Sequence, residues 1–386
     1  MKTFPELGLS QPLLASLANM GYSQPTEIQD KAIGVVLEGN DIMASAQTGS
    51  GKTAAFAIPI LERLQSGQPK PRALVIVPTR ELASQVKQQF FVLGKNFRLR
   101  LALLYGGVGY ERQERELRRG ADIIVATPGR LQDCIQKKLV DLSRLEILVL
   151  DEADRLLDMG FMPQVRKIVM GLPKQRQTLM FSATIDQRVE QLAAQFLRNP
   201  VLIRSSANRV EPSEIDQKII HISEGGKDQH LLTLLNNIDG SVIIFARTRR
   251  KATSVTKRLR AANVQAEEIH GDVSQSKREK TLNGFRQGAF GVLVATDIAA
   301  RGLDIPSISH VINYDLPQSP EDYIHRIGRT GRAGRSGTAI SFVSDDQRHL
   351  LRPIERVIGR QLDPNSPMPK TLKPQVRRFK PRRRHA

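Results

Sequence analysis

Residues 42–53 read Ile-Met-Ala-Ser-Ala-Gln-Thr-Gly-Ser-Gly-Lys-Thr, and this stretch decides the fold of the first half of the chain. Its first four residues form a run that predicts a buried strand, and residues 53–65 have the length and spacing of a helix. The loop between them follows the phosphate-loop pattern, except that Ala46 stands where the pattern begins with glycine. A strand, a glycine-rich loop and a helix in this order favour an α/β unit that binds a phosphate group.

Short apolar runs alternate with longer helical patterns through both halves of the chain. In the first half the predicted strands cover residues 42–45, 73–77, 99–104, 123–126, 147–150, 178–182 and 201–203. In the second half they cover residues 219–222, 242–246, 266–269, 292–295, 310–314 and 338–343. Most of these runs are apolar throughout, as is typical of strands covered on both faces. We therefore predict an α/β fold with two tandem, doubly wound parallel sheets.

Two polar segments break this alternation. Residues 205–216 contain a proline and show no periodicity, so we predict an interdomain linker there. We place the first domain at 31–204, with 1–30 as an additional part of it, and the second domain at 217–358. Residues 359–386 are predicted to form a short, basic, disordered tail. A phosphate loop occurs only in the first half, which indicates one nucleotide per chain.

The chain carries a formal net charge of +19 over 386 residues. Such an excess of positive charge favours a polyanionic partner, nucleic acid more than membrane, and a charge that only maintains solubility is the alternative. Residues 370–386 contain eight Lys or Arg and no Asp or Glu, which is fewer than half of the excess. This part of the tail is either a solvated segment or an arm that binds phosphate groups.

Cys134 is the single cysteine of the chain, so no disulfide can form within it, as expected in a reducing compartment. The first residues lack the apolar core of a signal peptide. No run reaches the roughly 18 apolar residues of a membrane span. We therefore predict a cytoplasmic protein without a membrane partner.

The phosphate loop contains the groups expected at a nucleotide site. Gly49 and Gly51 let backbone N–H groups approach the phosphates. Lys52 is placed to contact the β- and γ-phosphates, and the Thr53 hydroxyl is a Mg²⁺ ligand in this pattern. An incidental glycine-serine loop is the alternative, but it does not account for the strand and the helix on either side.

Asp151 and Glu152 follow directly after the predicted strand at 147–150. We expect Asp151 to hold Mg²⁺, directly or through water, and Glu152 to orient or deprotonate the attacking water. In isolation, the pair would be interpreted as the cap of the next helix. Beside the phosphate loop, the two carboxylates predict a nucleoside triphosphatase.

Residues 325–332 read His-Arg-Ile-Gly-Arg-Thr-Gly-Arg and lie in the second half of the chain. A guanidinium group stabilises charge on a transferring phosphoryl group, an effect of roughly 10³–10⁵ in rate. Arg329 and Arg332 are therefore candidates to complete an active site in a cleft between the domains, which would make hydrolysis depend on closure. A basic surface turn is the alternative.

With these motifs in order, the sequence resembles the DEAD-box ATP-dependent RNA helicases over nearly its whole length, residues 1–345. Within that family it is most similar to the bacterial RhlE-type helicases, judging from residues 40–60 and 265–335. The resemblance implies two RecA-like domains, the first binding ATP and the second being the helicase C-terminal domain. It also implies ATP and Mg²⁺ as cofactors.

The resemblance assigns further residues to the nucleotide. It implies a Q motif within residues 1–30, in which Gln29 hydrogen-bonds the adenine edge and Phe4 packs on its ring. It also places Asp304 near the ribose. The complete set that it assigns to the nucleotide is Phe4, Gln29, Ala46, Gln47, Thr48, Gly49, Ser50, Gly51, Lys52, Thr53 and Asp304.

Other matching positions are implied to contact RNA or to couple hydrolysis to unwinding. The coupling residues are Ser182, Thr184 and the interdomain His325. The RNA-contact residues are Arg80, Gly107, Thr127, Arg130, Arg278 and Thr296. Each of them alone would be interpreted as a turn, a helix start or a surface charge. Their order and separation support the functional interpretation.

The resemblance implies an RNA-dependent ATPase that closes two domains on single-stranded RNA, locally unwinds short duplexes and remodels RNA or RNA–protein complexes. We expect RNA to be bound through its backbone, with ribosomal or RNA-decay assemblies as settings. A DNA helicase is one alternative, and RNA against DNA stimulation would distinguish it. An ATP-gated RNA clamp or annealing chaperone with little turnover is another. The presence of Glu152, Arg329 and Arg332 argues against that clamp.

Overall fold

The computed structural model describes residues 2–46, 49–65, 70–205, 215–300, 308–331 and 336–363. The chain divides into two compact units, the first mainly from residues up to 210 and the second mainly from those after it. Each unit contains one sheet, and every strand pairing in both sheets is parallel. The predicted α/β fold with two tandem parallel sheets is therefore confirmed.

The sheet of the first unit has seven strands in the order β3-β4-β2-β5-β6-β1-β7. These strands are β1 (Ile42–Ser45), β2 (Ala73–Ile76), β3 (Leu101–Leu104), β4 (Ile123–Ala126), β5 (Ile147–Leu150), β6 (Gln177–Ser182) and β7 (Val201–Arg204). All residues of β1, β2, β4, β5 and β6 are buried, as their apolar runs predict.

Nine α-helices belong to the described part of the first unit. They are α1 (Gln11–Asn19), α2 (Glu27–Leu37), α3 (Lys52–Leu64), α4 (Arg80–Leu93), α5 (Glu111–Arg118), α6 (Pro128–Gln136), α7 (Ala153–Asp158), α8 (Met162–Met170) and α9 (Gln187–Phe196). Alternate strand residues point to two separate cores. Ile42 and Val149 contribute to the core that contains Phe56 of α3, and Met43 and Leu148 to the opposite core. The first unit is therefore doubly wound.

The sheet of the second unit has six strands in the order β10-β11-β9-β12-β13-β8. These strands are β8 (Ile215–His221), β9 (Val242–Phe245), β10 (Ala266–Ile269), β11 (Val292–Ala295), β12 (His310–Asn313) and β13 (Gly337–Val343). The helices described in this unit are α10 (Lys227–Leu235), α11 (Arg249–Ala261), α12 (Gln275–Arg286), α13 (Asp297–Ala300), α14 (Pro320–Ile327) and α15 (Arg348–Ile358).

Two predicted boundaries differ from the structure. The predicted linker ends at residue 216, but β8 already begins at Ile215, which lies opposite Gly337 of β13. The predicted tail begins at residue 359, but the chain folds back on the unit as far as Asp363. There Glu355 accepts hydrogen bonds from the N–H groups of Leu362 and Asp363 at 2.9 and 3.0 Å. Both segments are mostly polar, so their contacts with the unit left no periodic signal in the sequence.

The remaining linker residues 206–214 and tail residues 364–386 lie outside the described residues. Among the helices that the structure describes, none has the length and apolar character to cross a membrane.

Candidate active site

Three neighbouring strands of the first sheet bring the predicted nucleotide residues to one edge. β6 pairs in parallel with both β1 and β5. Parallel strands end at the same edge of a sheet, and in doubly wound folds ligands bind at that edge. The phosphate loop after β1, the carboxylates after β5 and residues 182–184 at the end of β6 are therefore neighbours.

Two glycines set the conformation of the phosphate loop. Gly49 and Gly51 have φ angles of +90° and +93°, in the left-handed region that favours glycine. A Cβ on Gly51 would also overlap the side-chain amide of Gln29, which donates a hydrogen bond to the Gly51 carbonyl oxygen at 3.2 Å. The Thr26 hydroxyl donates to the Ser50 carbonyl oxygen at 2.8 Å. The start of α2 thus holds the loop in place.

Lys52 is the first residue of α3 and is only 7% exposed. Its Nζ is buried and has no hydrogen-bond partner within the described part of the chain. Burying an ammonium group without an anion is costly, so an arrangement of this kind is completed by a negatively charged ligand. The loop N–H groups and the start of α3 favour the same charge. The site therefore fits a phosphate group.

Asp151 follows β5 and is 2% exposed. Burial raises the pKa of its carboxyl to about 6, against the opposing attraction of the Lys52 ammonium. No cluster of three or more His, Cys, Asp or Glu residues able to hold a metal occurs among the described residues. Mg²⁺ commonly binds through one or two protein oxygens plus phosphate oxygens and water. Asp151, with Thr53 as the second predicted ligand, fits that mode of binding.

Glu152 is held in one position by a buried ion pair. Its Oε2 lies 2.7 Å from Nη1 of Arg155, and both side chains are buried. The backbone of Glu152 has a φ of +51°, which is costly for a residue with a Cβ. Its N–H donates to Oδ1 of Asp151 at 2.9 Å. This backbone and its ion pair fix the carboxylate beside Asp151, where it can orient a water molecule.

Asp154 connects the carboxylate segment to the end of β6. Its Oδ2 accepts hydrogen bonds from the N–H groups of Ala183 and Thr184, both at 3.1 Å, and from the Thr184 hydroxyl at 3.3 Å. The Ala46 N–H donates to the carbonyl oxygen of Ser182 at 3.1 Å. Residues 182–184 are therefore bonded both to the loop after β1 and to α7.

The Q-motif residues have structural roles in addition to their predicted one. The Phe4 ring is 3% exposed and packs against Tyr22, with the ring centroids 6.2 Å apart. Gln29 is 1% exposed, and its Oε1 accepts from the Thr26 N–H at 2.9 Å in a capping box at the start of α2. The structure thus ties Gln29 to the phosphate loop, and the adenine contacts of both residues stay predictions.

The predicted RNA-contact residues of the first unit follow the adjacent strands β2, β3 and β4. Arg80 begins α4 after β2, and its guanidinium lies against Gly107, which follows β3. A Cβ at Gly107 would overlap that guanidinium, and the φ of +78° there also favours glycine. Thr127 lies between β4 and α6, directly before the first residue of that helix. The predicted RNA-contact residues of the first unit therefore lie along one part of the sheet edge.

Arg130 rests on an aromatic ring. Its Cζ lies 3.9 Å from the ring centroid of Tyr110, and its Nη2 donates to the Val108 carbonyl oxygen at 2.9 Å. Nε and Nη1 of Arg130 are buried and have no hydrogen-bond partner among the described residues. The Tyr110 hydroxyl donates to Asp133 at 3.1 Å. Tyr110 thus positions a guanidinium that has unused donors.

The predicted residues of the second unit are mostly buried within that unit. Thr296 follows β11 and is 7% exposed, and Arg278 in the first turn of α12 is 9% exposed. His325 is half-buried in the last turn of α14, and Arg329 follows that helix. Of the predicted site residues in the two halves, Gln47, Thr48, Asp304 and Arg332 lie outside the described residues.

Comparison with known proteins identifies the family. The model of the DEAD/DEAH box helicase domain matches residues 26–192, and that of the helicase conserved C-terminal domain matches residues 226–334. RNA helicase CrhR of Synechocystis is 45% identical over 94% of this chain and 74% of its own length. The chain belongs to the DEAD/DEAH box helicase family.

Other members of this family are also similar along most of their length. The DEAD-box ATP-dependent RNA helicase CshA of Streptococcus pneumoniae is 42% identical over 93% of this chain and 69% of its own. Among solved structures, S. cerevisiae Dbp5 bound to RNA and ADP BeF3 has a TM-score of 0.85 and 35% identity, covering 93% of this chain and 94% of that one. The predicted family is confirmed, and so is its enzyme class, ATP-dependent RNA helicase. The closer similarity to RhlE-type helicases stays a prediction.

Several residues of this helicase that hold its site were missed in the sequence. Arg155 had a signal, because it stands three residues after Glu152 on a predicted helix. Arg326 binds Asp297 through Nε and Nη2 at 2.6 and 2.7 Å, between residues 29 positions apart. Tyr110 lies 20 positions before Arg130, and no periodic pattern relates these two residues. Pairs of residues this far apart in the sequence can be identified only once the fold is known.

Proposed function

We propose that the chain is an RNA-dependent ATPase that locally separates short RNA duplexes. One observation carries this proposal: Lys52, a buried lysine whose Nζ has no hydrogen-bond partner among the described residues, lies near the buried carboxylate of Asp151 at the sheet edge. The same edge continues into Arg80, Gly107 and Arg130. The names of the relatives, ATP-dependent RNA helicase and RNA helicase, support the same activity.

The residues at the edge have separate roles in hydrolysis. Lys52 and the loop N–H groups bind the ATP phosphates, and Asp151 and Thr53 would hold Mg²⁺, which would supply positive charge to those phosphates. Glu152, oriented by Arg155, positions the attacking water and accepts its proton. The described groups among these are each supplied by a strand end or a helix start of the first unit.

The link between Asp154 and residues 182–184 supports a role in coupling. A shift of the carboxylate segment after β5 is transmitted through Asp154 to Ala183 and Thr184, because three hydrogen bonds join Asp154 to these two residues. The roles of Arg329, Arg332 and His325, which belong to the second half of the chain, remain part of the proposal. Arg329→Ala should lower ATP turnover without weakening ATP binding, and unchanged turnover would remove this residue from the mechanism.

Duplex opening by this protein should be local. Stacking in DNA is worth about 1.4 kcal/mol per step, so opening five steps costs about 7 kcal/mol and opening thirty about 42 kcal/mol. A bent strand held through its backbone breaks only the pairs in contact with the protein. Duplexes of ten pairs should therefore separate rapidly and those of thirty pairs hardly at all. Equal rates on both would contradict local opening.

ATP hydrolysis measured with no nucleic acid, with single-stranded RNA and with DNA of the same sequence tests the proposal. We expect stimulation by RNA and little by DNA. Equal stimulation by DNA would favour a DNA helicase, and tight RNA binding without turnover would favour an ATP-gated clamp. The proposed settings, ribosomal or RNA-decay assemblies in the cytoplasm, call for a separate test, co-purification of the chain with ribosomes or nucleases.

A further inference from the structure

The last helix of the second unit, α15, carries a row of arginines on its exposed face. Arg348, Arg352 and Arg356 are four residues apart and all exposed. Four residues correspond to about 6 Å along a helix, so the three guanidinium groups form one continuous strip. We call these three residues the arginine row.

The arginine row is poorly neutralised. Arg348 has an ion pair with Asp345 at 3.0 Å, and both side chains are largely solvent-exposed. No ion pair of Arg352 or Arg356 occurs among the described residues. Like charges four residues apart destabilise a helix. A bound partner with negative charge would remove this repulsion between the three arginines.

Glu355, the only acidic residue within α15, does not neutralise the arginine row. Glu355 is 1% exposed and points inward, where it accepts hydrogen bonds from the N–H groups of Leu362 and Asp363. In contrast, four of the six basic residues of α11 have acidic partners, and only Arg250 and Lys257 have no ion pair among the described residues. These ion pairs are Arg249–Asp272, Lys251–Glu224, Arg258–Asp228 and Arg260–Glu267. Most basic residues of a basic helix can therefore find acidic partners in this unit, whereas Arg352 and Arg356 have none among the described residues.

The apolar face of α15 is already used, which restricts the partner. Leu350, Leu351 and Ile354 are buried against the unit, so no broad apolar face remains for a membrane surface. The exposed face presents guanidinium groups, whose fork of donors suits phosphate oxygens. The basic segment 370–386, with eight Lys or Arg, follows in the sequence shortly after Asp363, the last residue that the structure describes.

We propose that the arginine row is an auxiliary RNA-binding surface, which holds the phosphate backbone of RNA extending beyond the main binding site. This inference rests on the proposed function, because RNA is the polyanion that the enzyme would act on. The row would raise affinity for long or duplex-containing RNA and leave short single strands unaffected. It would not contribute to ATP hydrolysis, since no residue of the row belongs to the catalytic segments.

The test compares full-length wild type with the double variant R352Q/R356Q. Binding is measured for a single strand of about ten nucleotides and for a duplex with the same strand as an overhang, across a salt series. Each neutralised phosphate contributes about 0.9 to the slope of log K against log salt on a duplex. We expect roughly tenfold weaker binding of the overhang duplex, a slope lower by about 2, and unchanged binding of the short strand.

A matched control removes two charges elsewhere. Arg166 and Lys167 are exposed on α8 of the first unit, and R166Q/K167Q should bind both RNAs like the wild type. The melting temperature of R352Q/R356Q should equal or exceed that of the wild type, because like-charge repulsion is relieved.

Three outcomes would overturn the inference. If R352Q/R356Q binds the duplex with unchanged affinity and salt slope, the row does not bind RNA, and an acidic protein becomes the favoured partner. Equal loss on the short strand would assign the row to the main RNA site, and equal loss in R166Q/K167Q would mean a nonspecific charge effect. RNA-stimulated ATP turnover of the wild type is measured separately. Its absence would refute the proposed function, whereas its presence with an unaffected variant refutes the auxiliary surface alone.

Discussion

Lys52 and Lys227 are both buried lysines at the first position of a helix, one in each unit, and they differ in their partners. Lys227 lies 3.1 Å from Asp315 and 2.7 Å from Glu224. Lys52 has no hydrogen-bond partner in the described residues. Removing one member of a buried ion pair destabilises its unit, whereas a buried charge without a hydrogen-bond partner is completed by a ligand. The presence of an ion-pair partner, more than the degree of burial, thus distinguishes a structural lysine from one that binds a ligand.

The local sequences do not reveal this difference. Lys227 follows Gly225 and Gly226, much as Lys52 follows the glycines of the phosphate loop. The acidic partner of Lys227, Asp315, lies 88 positions away and is brought near by β12. We therefore expect mutation of Lys52 to affect mainly ATP turnover and mutation of Lys227 to affect mainly stability.

Glu152 is the exception to this distinction between paired and unpaired charges, because it forms a buried ion pair and is nevertheless assigned to catalysis. Glu152→Gln keeps the shape of the side chain but removes the base, so ATP turnover should fall by roughly 10²–10⁴-fold. ATP binding should remain, since Lys52 and the loop are unchanged. Turnover is measured under saturating RNA, and binding with a fluorescent ATP analogue. Near-normal turnover would make the Glu152–Arg155 pair purely structural.

Lys52→Ala tests the unpaired side of the comparison. Losing one charged donor at the phosphates should lower turnover by about 10²–10³-fold, or about 2.7–4 kcal/mol. Without nucleotide, the melting temperature should change little, because the attraction to Asp151 that is lost offsets the removal of a buried ammonium group that makes no hydrogen bond among the described residues. A clear drop in melting temperature of the nucleotide-free protein would show that Lys52 has a structural partner after all.

Lys227→Met tests the paired side. It leaves Asp315 buried without its cation, so the free energy of unfolding of the second unit should fall by about 3–5 kcal/mol. Turnover per folded molecule at low temperature should remain within a few-fold of the wild type. Chemical denaturation gives the stability. Lys31→Met is the control, since the Lys31–Glu27 pair is partly exposed and should contribute less than about 1 kcal/mol.

The smallest expected effect concerns the basic tail, whose residues 370–386 carry eight Lys or Arg and no Asp or Glu. Truncation after Met368 removes all eight Lys and Arg of residues 370–386. RNA binding should weaken, and the slope of log K against log salt should flatten by about 0.7–0.9 for each phosphate that the tail no longer neutralises. Fluorescence anisotropy with labelled RNA at several salt concentrations measures both. An unchanged slope would mean that the tail only solvates the chain or binds a protein.

The sequence predicted the parts of the fold that depend on local pattern. The strands β1, β4, β5 and β11 coincide with predicted runs, because a strand buried on both faces is apolar throughout. Asp151 and Glu152 were found for the same reason, since they directly follow such a strand. β3 is shorter than predicted, beginning at Leu101, and β8 begins at Ile215, four residues earlier than predicted.

The supporting contacts of the site could not be predicted. Asp154 reaches Thr184 across 30 positions, and Gln29 reaches the Gly51 carbonyl across 22. Such contacts depend on which strands become neighbours in the sheet, and the order of strands is not encoded in any local period. The sequence located the groups that contact ligands, whereas the structure was needed to find the groups that hold them.

The left-handed backbone of Glu152 has a practical consequence for engineering this enzyme. Glycine would relax the main chain at this position, but Glu152→Gly would leave the Arg155 guanidinium buried without its anion, which costs more than the strain. The same change deletes the carboxylate that orients water. Libraries for stabilisation should therefore keep residue 152 fixed, although its backbone angle marks it for glycine.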